Sequence, residues 1–268
     1  FFPTEIKYSP KILNHLIQEG YLTNEIVDEY SEIDKTPVQS PEDYSKKYNS
    51  LPWKYAKDYP TIINVKKNFK VDFKSFDNVK YLENSIDSIQ YLFWLNNTIF
   101  PYEYVFLYFL DIPKGLYSLI TFNHYHKIGY CNLKDINKFN FEKILNKKLE
   151  KASRQNDQLE SMGNRTIVDI EWYIKPSYDT KKGYLFFTEK IKWSDGYNNY
   201  GSSIFIFNKQ GYLQVGVNFE EKNIDSLNED FLNTIVDRVI FEDGYKYSDF
   251  TSSDKKSDYS IEDIIIKS

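Results

Sequence analysis

Apolar and polar side chains alternate most regularly in the second half of the chain. The alternation from residue 167 to residue 174 predicts a half-buried strand, because successive side chains of a strand point to opposite faces. Its apolar face would contain Val168, Ile170, Trp172 and Ile174. Runs rich in aromatic and β-branched residues follow at 184–193, 202–208 and 212–219, with turn-forming residues between them. This order predicts an antiparallel meander.

A short amphipathic helix is predicted after the meander. Ser226 and Glu229 have the spacing of a capping box at the start of a helix. Apolar residues then recur on one helix face, namely Leu227, Phe231, Ile235 and Val236. We expect this face to cover the sheet.

Strand and helix patterns also alternate in the first part of the chain. The strand patterns lie at 61–65, 68–73, 104–110 and 117–124, and the helix patterns lie near 85–95 and at 139–162. Together with the meander they predict an α+β domain over residues 46–268, in which a twisted antiparallel sheet is flanked by helices. Helix patterns near the start predict an N-terminal helical extension over residues 1–45.

Several short motifs, taken in order, resemble those of a bacterial family. One motif is Trp172 with Pro176, Tyr178 and Asp179, and a closing one has the form Tyr-x-Asp-Phe followed by Asp. They resemble the family called domain of unknown function 2167, over residues 46–268. The family's Gly-Asn-Pro-Pro loop is only Asn96-Asn97-Thr98 here. The candidate binding residues marked by the resemblance are Trp172, Tyr178, Asp179, Tyr247, Asp249, Phe250 and Asp254.

The resemblance implies a location in the bacterial cell envelope. Members of the family are described as predicted membrane-anchored proteins, so we expect an extracytoplasmic domain that is tethered to the membrane in the full-length protein. A C-terminal anchor missing from this chain would be its only contact with the membrane. The expected role is non-enzymatic binding of an envelope protein or another envelope component, or a structural role there. The resemblance brings no catalytic residue with it.

Composition narrows the possible partners. The chain has 34 basic and 39 acidic residues and no concentrated basic stripe, so we expect no nucleic-acid partner. Aromatic residues make up 18% of the chain, and they either fill a sheet core or line a ligand groove. The single cysteine, Cys131, excludes an intrachain disulfide.

Few residues suggest catalysis or metal binding. His124 and His126 share one side of a predicted strand, but two imidazoles are two ligands short of a closed tetrahedral zinc site, so we expect no metal there. We also expect no cofactor and no catalytic residues, because the sequence has no phosphate loop, nucleotide fingerprint or serine elbow. The alternative is a carboxylate-dependent hydrolase, which needs no recognisable motif. A deep cleft with two facing, desolvated carboxylates would favour the hydrolase, whereas a shallow surface with exposed aromatic rings would favour binding.

The polar segment from Gly244 to Tyr259 is predicted to pack back onto the domain. Its sequence begins at a tight turn, after which Tyr245 and Tyr247 would point to the same side and Phe250 would anchor the segment. The aspartates that follow would accept hydrogen bonds from backbone N–H groups. We expect this architecture to direct the chain towards its membrane anchor.

Overall fold

The structure, a computed structural model, describes residues 46, 50, 54–55, 62–66, 68–72, 79–81, 105–112, 116–125, 127–161 and 165–268. The predicted N-terminal extension, the helix pattern near 85–95 and His126 lie outside these residues.

The described strands form two antiparallel sheets. In chain order they are β1 (Lys54–Tyr55), β2 (Ile62–Lys66), β3 (Phe69–Asp72), β4 (Val79–Tyr81), β5 (Val105–Ile112), β6 (Leu116–Tyr125), β7 (Ile167–Asp179), β8 (Tyr184–Trp193), β9 (Asn198–Asn208), β10 (Gly211–Glu220) and β11 (Val239–Phe241). The large sheet has the order β1-β4-β5-β6-β10-β9-β8-β7, and the small sheet has the order β11-β3-β2. The predicted meander is confirmed, because β7, β8, β9 and β10 pair consecutively.

Three α-helices and three 3-10 helices accompany the sheets in the described part of the chain. The α-helices are α1 (Phe141–Ser161), α2 (Glu229–Arg238) and α3 (Ile261–Lys267), and the 3-10 helices are Leu133–Lys138, Glu221–Ser226 and Tyr247–Asp249. The prediction that Ser226 caps α2 is wrong. The cap is Asn228, whose side-chain oxygen accepts a hydrogen bond from the N–H of Phe231 at 2.9 Å, because a 3-10 helix occupies the chain up to residue 226.

The large sheet is covered on both faces over strands β7 to β10. One side, here called the small-sheet face, packs against β3, β11 and α2, and the opposite side, the helix face, packs against α1, α3 and the 3-10 helix Leu133–Lys138. The central strands β8 and β9 therefore bury consecutive residues: Leu185, Phe186 and Phe187 are fully buried, as are Ile204 and Phe205. The sequence of a strand that is buried on both faces is a continuous apolar run rather than an alternation of apolar and polar residues. The α+β fold with a sheet flanked by helices is confirmed.

The edge strand β7 departs from the alternation that its sequence predicts. Its pairing with β8 shifts register at three places, and each extra residue reverses the faces of the side chains that follow. Ile170 and Trp172 pack on the helix face, whereas Ile174 belongs to the small-sheet face. Val168 is 56% exposed. The prediction of one continuous apolar face is therefore wrong for Val168 and Ile174.

Helix α1 protects one end of this edge strand. The side chain of Asn156 donates to the carbonyl of Ile167 at 2.8 Å and accepts from its N–H at 2.9 Å. The amide side chain thus substitutes for a neighbouring strand at that residue. Such coverage reduces the tendency of a free edge to pair with another chain.

Candidate functional site

A groove of about 470 Å³ lies between the start of α1 and the bulged part of β7. We call it the aromatic groove. Its lining residues are Phe139, Asn140, Phe141, Glu142, Trp172, Lys175 and Pro176. The rings of Phe139 and Phe141 are nearly perpendicular, at 77° with centroids 6.5 Å apart. The groove therefore combines three aromatic rings and a proline ring with two side chains of opposite charge.

Local sequence shapes each wall of the groove. Asn140 caps α1 by accepting a hydrogen bond from the N–H of Lys143 at 3.0 Å, so helical backbone begins only at residue 141. On the other wall, two of the register shifts in β7 flank Ile174, and Pro176 follows. Proline and bulges are tolerated at a sheet edge because no ladder hydrogen bond is needed there.

The indole ring of Trp172 forms part of the groove wall and rests on the core. It meets Phe187 edge-on, with ring centroids 5.1 Å apart at 71°. Its Nε1–H is screened from solvent, and no described residue accepts a hydrogen bond from it. A buried donor without an acceptor costs about 1–3 kcal/mol.

The two charged residues of the groove are exposed. Neither the ammonium group of Lys175 nor the carboxylate of Glu142 forms an ion pair with any residue that the structure describes. Both remain available to a ligand that enters the groove. The site therefore offers one positive and one negative charge beside an apolar floor.

Tyr178 and Asp179 support the groove rather than enter it. The Tyr178 hydroxyl donates to the side-chain oxygen of Asn137 at 2.6 Å, and its ring lies 6.5 Å from that of Phe141. The Oδ1 atom of Asp179 accepts hydrogen bonds from the backbone N–H groups of Lys181 and Lys182, at 2.7 and 2.9 Å. These hydrogen bonds lower the pKa of Asp179 and organise the turn between β7 and β8.

The segment from residue 244 to residue 259, here called the C-terminal strap, crosses the ends of the sheet strands. Tyr245 packs with the small-sheet face and Tyr247 with the helix face, so the prediction that both point to one side is wrong. The physical reason is that Tyr247 begins a 3-10 helix, which does not follow the two-residue alternation of a strand. Lys246 pairs with Asn208, which places the crossing at the end of β9.

Tyr247 ties the strap to the helix face. Its hydroxyl oxygen accepts a hydrogen bond from the N–H of Leu133 at 3.0 Å and donates to the carbonyl of Cys131 at 3.2 Å. Burial raises the pKa of Tyr247, which keeps the hydroxyl protonated as a donor. The ring of Tyr130 stacks against two rings of the strap. Its centroid lies 4.9 Å from that of Tyr247 and 3.8 Å from that of Phe250.

The strap also depends on a glycine in the turn before β8. Gly183 has φ of +78°, and a Cβ atom there would lie 2.7 Å from Cγ of Tyr247. Only glycine permits both this backbone conformation and the close approach of the ring.

The aspartates of the strap serve its own turns. The carboxylate of Asp249 accepts a hydrogen bond from the backbone N–H of Lys246 at 3.0 Å, and that of Asp254 accepts one from the backbone N–H of Thr251 at 2.8 Å. The bond from Thr251 lowers the pKa of Asp254, and Lys209 lies 3.5 Å from its second oxygen. The structure thus separates the predicted binding residues: Trp172 lies in the groove, whereas Tyr247, Asp249, Phe250 and Asp254 hold the strap in place.

The other predicted candidates remain apart from the groove. Cys131 is buried, and burial raises its pKa to about 11, so its thiol is protonated at neutral pH. His124 lies opposite Leu213 in the pairing of β6 with β10. Within the described residues, no group of three or more His, Cys, Asp or Glu could hold a metal ion.

A buried ion pair was missed by the sequence analysis. Lys148 of α1 places its Nζ atom 2.7 and 2.9 Å from the two carboxylate oxygens of Glu189 in β8, and only the longer contact has hydrogen-bond geometry. Both side chains are buried, and burial lowers the pKa of Lys148. The available signal was the position of Lys148, which follows Leu145 by three residues on the apolar side of the helix.

The groove residues Phe139, Phe141, Glu142 and Lys175 were also missed. The spacing of Phe139 and Phe141 beside a helix start was visible, and so was Pro176 within a strand pattern. The sequence did not show that these residues converge, because their convergence depends on where β7 changes register.

Comparison with known proteins identifies a family. A family model described as a protein of unknown function, DUF2167, matches residues 89–267. No curated protein matches the chain. Among the described residues, no helix combines the length and the apolar content needed to span a membrane.

Proposed function

Since the chain belongs to this family of unknown function, DUF2167, we propose that it is a non-enzymatic binding domain whose ligand site is the aromatic groove. The domain would lie outside the cytoplasm, in a bacterial protein tethered to the membrane through a C-terminal anchor. Its partner would be an envelope protein or another envelope component.

The observation that carries this proposal is the composition of the groove. Aromatic and proline rings form its walls, while Lys175 and Glu142 keep their charges free of ion pairs with the described residues. Ligand sites commonly combine an apolar surface with a few polar groups that fix the orientation of the ligand.

The same lining favours binding over hydrolysis. Glycoside hydrolases, for example, use two carboxyl groups about 5–10 Å apart, one on each side of the bond they cleave. Among the described residues that line the groove, only Glu142 carries a carboxylate, and this side chain is exposed.

Recovery of partners from the bacterial envelope tests the proposed site. Wild-type full-length protein and a Lys175→Glu variant would be purified from membranes after crosslinking, and the recovered molecules identified by mass spectrometry. Lys181→Glu is the matched control, because Lys181 is an exposed lysine in the turn beyond the groove. We expect Lys175→Glu alone to lose a specific partner. Equal recovery by all three proteins would contradict the groove as the binding site.

Location is tested separately. In spheroplasts with intact membranes, added protease should digest the domain of the full-length protein. Protection of the domain until the membrane is lysed would contradict an extracytoplasmic location.

A further inference from the structure

We infer that the aromatic groove recognises a proline-containing segment of another polypeptide, held in the polyproline II conformation. This inference rests on the proposed function and names the chemistry of the partner. The groove offers aromatic rings and isolated charges beside a strand whose backbone is poorly suited to pairing.

The walls of the groove match proline side chains. Phe139, Phe141 and Trp172 present aromatic rings, and Pro176 adds a fourth apolar surface. Grooves lined in this way accept proline-rich segments because polyproline II is already extended before binding, so little conformational entropy is lost. The rings of Phe139 and Phe141 are nearly perpendicular, so they do not form a flat stack.

Strand addition to β7 is disfavoured. Asn156 already occupies both backbone groups of Ile167, so the start of the edge is covered. Further along, register shifts flank Ile174, and Pro176 has no N–H to donate. A partner strand would meet an interrupted ladder of hydrogen bonds. A polyproline II segment needs no such ladder, and therefore fits this edge better.

The polar groups of the groove suit a peptide better than a glycan. A sugar carries hydroxyl groups around its ring and needs many directed partners. The side-chain oxygen of Asn140 is already used to cap α1, which leaves the exposed charges of Lys175 and Glu142. A proline-containing segment has few hydrogen-bond donors to satisfy, so these two groups are sufficient.

The two charged groups each have a defined role in the complex. Lys175 pairs with an acidic side chain of the segment, and Glu142 pairs with a basic one. The indole ring of Trp172 belongs to the groove wall, so its resonance will report the contact with the segment.

Nuclear magnetic resonance with defined peptides tests the inference. The probe is acetyl-Asp-Pro-Pro-Pro-Pro-Pro-Pro-amide, and the control replaces the six prolines with alternating Gly and Ser. The chain has four tryptophans, and the indole resonance of Trp172 is identified by its loss in Trp172→Phe. We expect the proline probe to shift this resonance in a saturable way, and the Gly-Ser control to leave it unchanged.

A charge reversal makes the test specific to the groove. Lys175→Glu should bind the Asp-containing probe about fivefold more weakly, because an exposed ion pair of up to about 1 kcal/mol becomes a repulsion. The matching probe that begins with Lys should lose no affinity for this variant. Lys181→Glu should bind both probes as the wild type does.

The outcomes separate the inference from the proposed function. If neither proline probe shifts the groove resonances while partner recovery still depends on Lys175, the peptide inference is overturned and the binding site stands. A shift with soluble chitotetraose, in place of the peptides, would overturn the inference in favour of a glycan. If neither the probes nor partner recovery depend on Lys175, both proposals fail.

Discussion

Removal of the Tyr247 hydroxyl should destabilise the domain by an amount that the strap geometry fixes. In Tyr247→Phe the ring remains, but the oxygen that accepts the N–H of Leu133 at 3.0 Å is lost. Leu133 is fully buried, so water cannot easily replace this acceptor. An unsatisfied buried donor costs about 1–3 kcal/mol, and we expect a loss of unfolding free energy in that range.

Tyr247→Ala should cost more, because it also removes the ring. Truncation of a buried aromatic side chain costs about 3–5 kcal/mol, and the half-buried Tyr247 ring should contribute roughly half of that in addition to the hydroxyl. The expected total is about 3–5 kcal/mol. Tyr259→Phe is the control, since Tyr259 is 48% exposed.

Urea denaturation followed by tryptophan fluorescence measures these differences. The chain's single cysteine provides an independent reading, because Cys131 is buried next to the strap and should react faster with a thiol reagent when the strap opens. If Tyr247→Phe is as stable as Tyr259→Phe, the hydroxyl has no structural role. If Tyr247→Ala keeps its stability but loses partner recovery, the strap is a binding site rather than a clasp.

Three further perturbations test other parts of the structure. Gly183→Ala and Gly196→Ala impose similar backbone strain, because the two glycines have φ of +78° and +83°. Only Gly183→Ala also places a Cβ atom against the strap. Urea denaturation should therefore show that Gly183→Ala loses about 1–3 kcal/mol more unfolding free energy than Gly196→Ala. Lys148→Ala leaves the buried carboxylate of Glu189 without a cation and should lower the free energy of unfolding by about 3–5 kcal/mol. The double variant Lys148→Met with Glu189→Leu removes both charges, so its loss of unfolding free energy in the same assay should be much smaller. The pKa of Asp254 is lowered on folding from its ordinary value of 3.8, so its stabilisation is complete above pH 3.8 and is lost as pH falls through the lower folded value. Thermal unfolding between pH 6 and pH 2.5 should accordingly show a smaller acid-induced loss for Asp254→Asn than for the wild type, and an equal loss would refute this role.

Much of the fold could be predicted because its signals are local. The apolar runs of β8 and β9 and the turn at Lys209-Gln210 identify the meander without knowledge of distant residues. The strap was predicted to pack on the domain from its aromatic residues. The cap of α2 was assigned two residues too early because the 3-10 helix before it has no distinct sequence pattern.

The site was harder to predict because it depends on distant contacts. Trp172 was singled out through a family resemblance, but its neighbours Phe139 and Phe141 are more than 30 residues away in the chain. Their approach is determined by the register of β7, and a bulge leaves little trace in composition. The partner of Lys148 was equally hidden, since Glu189 lies 41 residues further along the chain.

The strap has a consequence for the rates of folding and unfolding. Tyr247 contacts residues that precede it by 114 and 116 positions, so these bonds close a very long loop. We expect such contacts to form late in folding, after β8 and β9 have created the surface that the strap crosses. Interactions made after the transition state slow unfolding without accelerating folding. Opening the strap should therefore raise the unfolding rate and shorten the lifetime of the folded domain, with little effect on the folding rate.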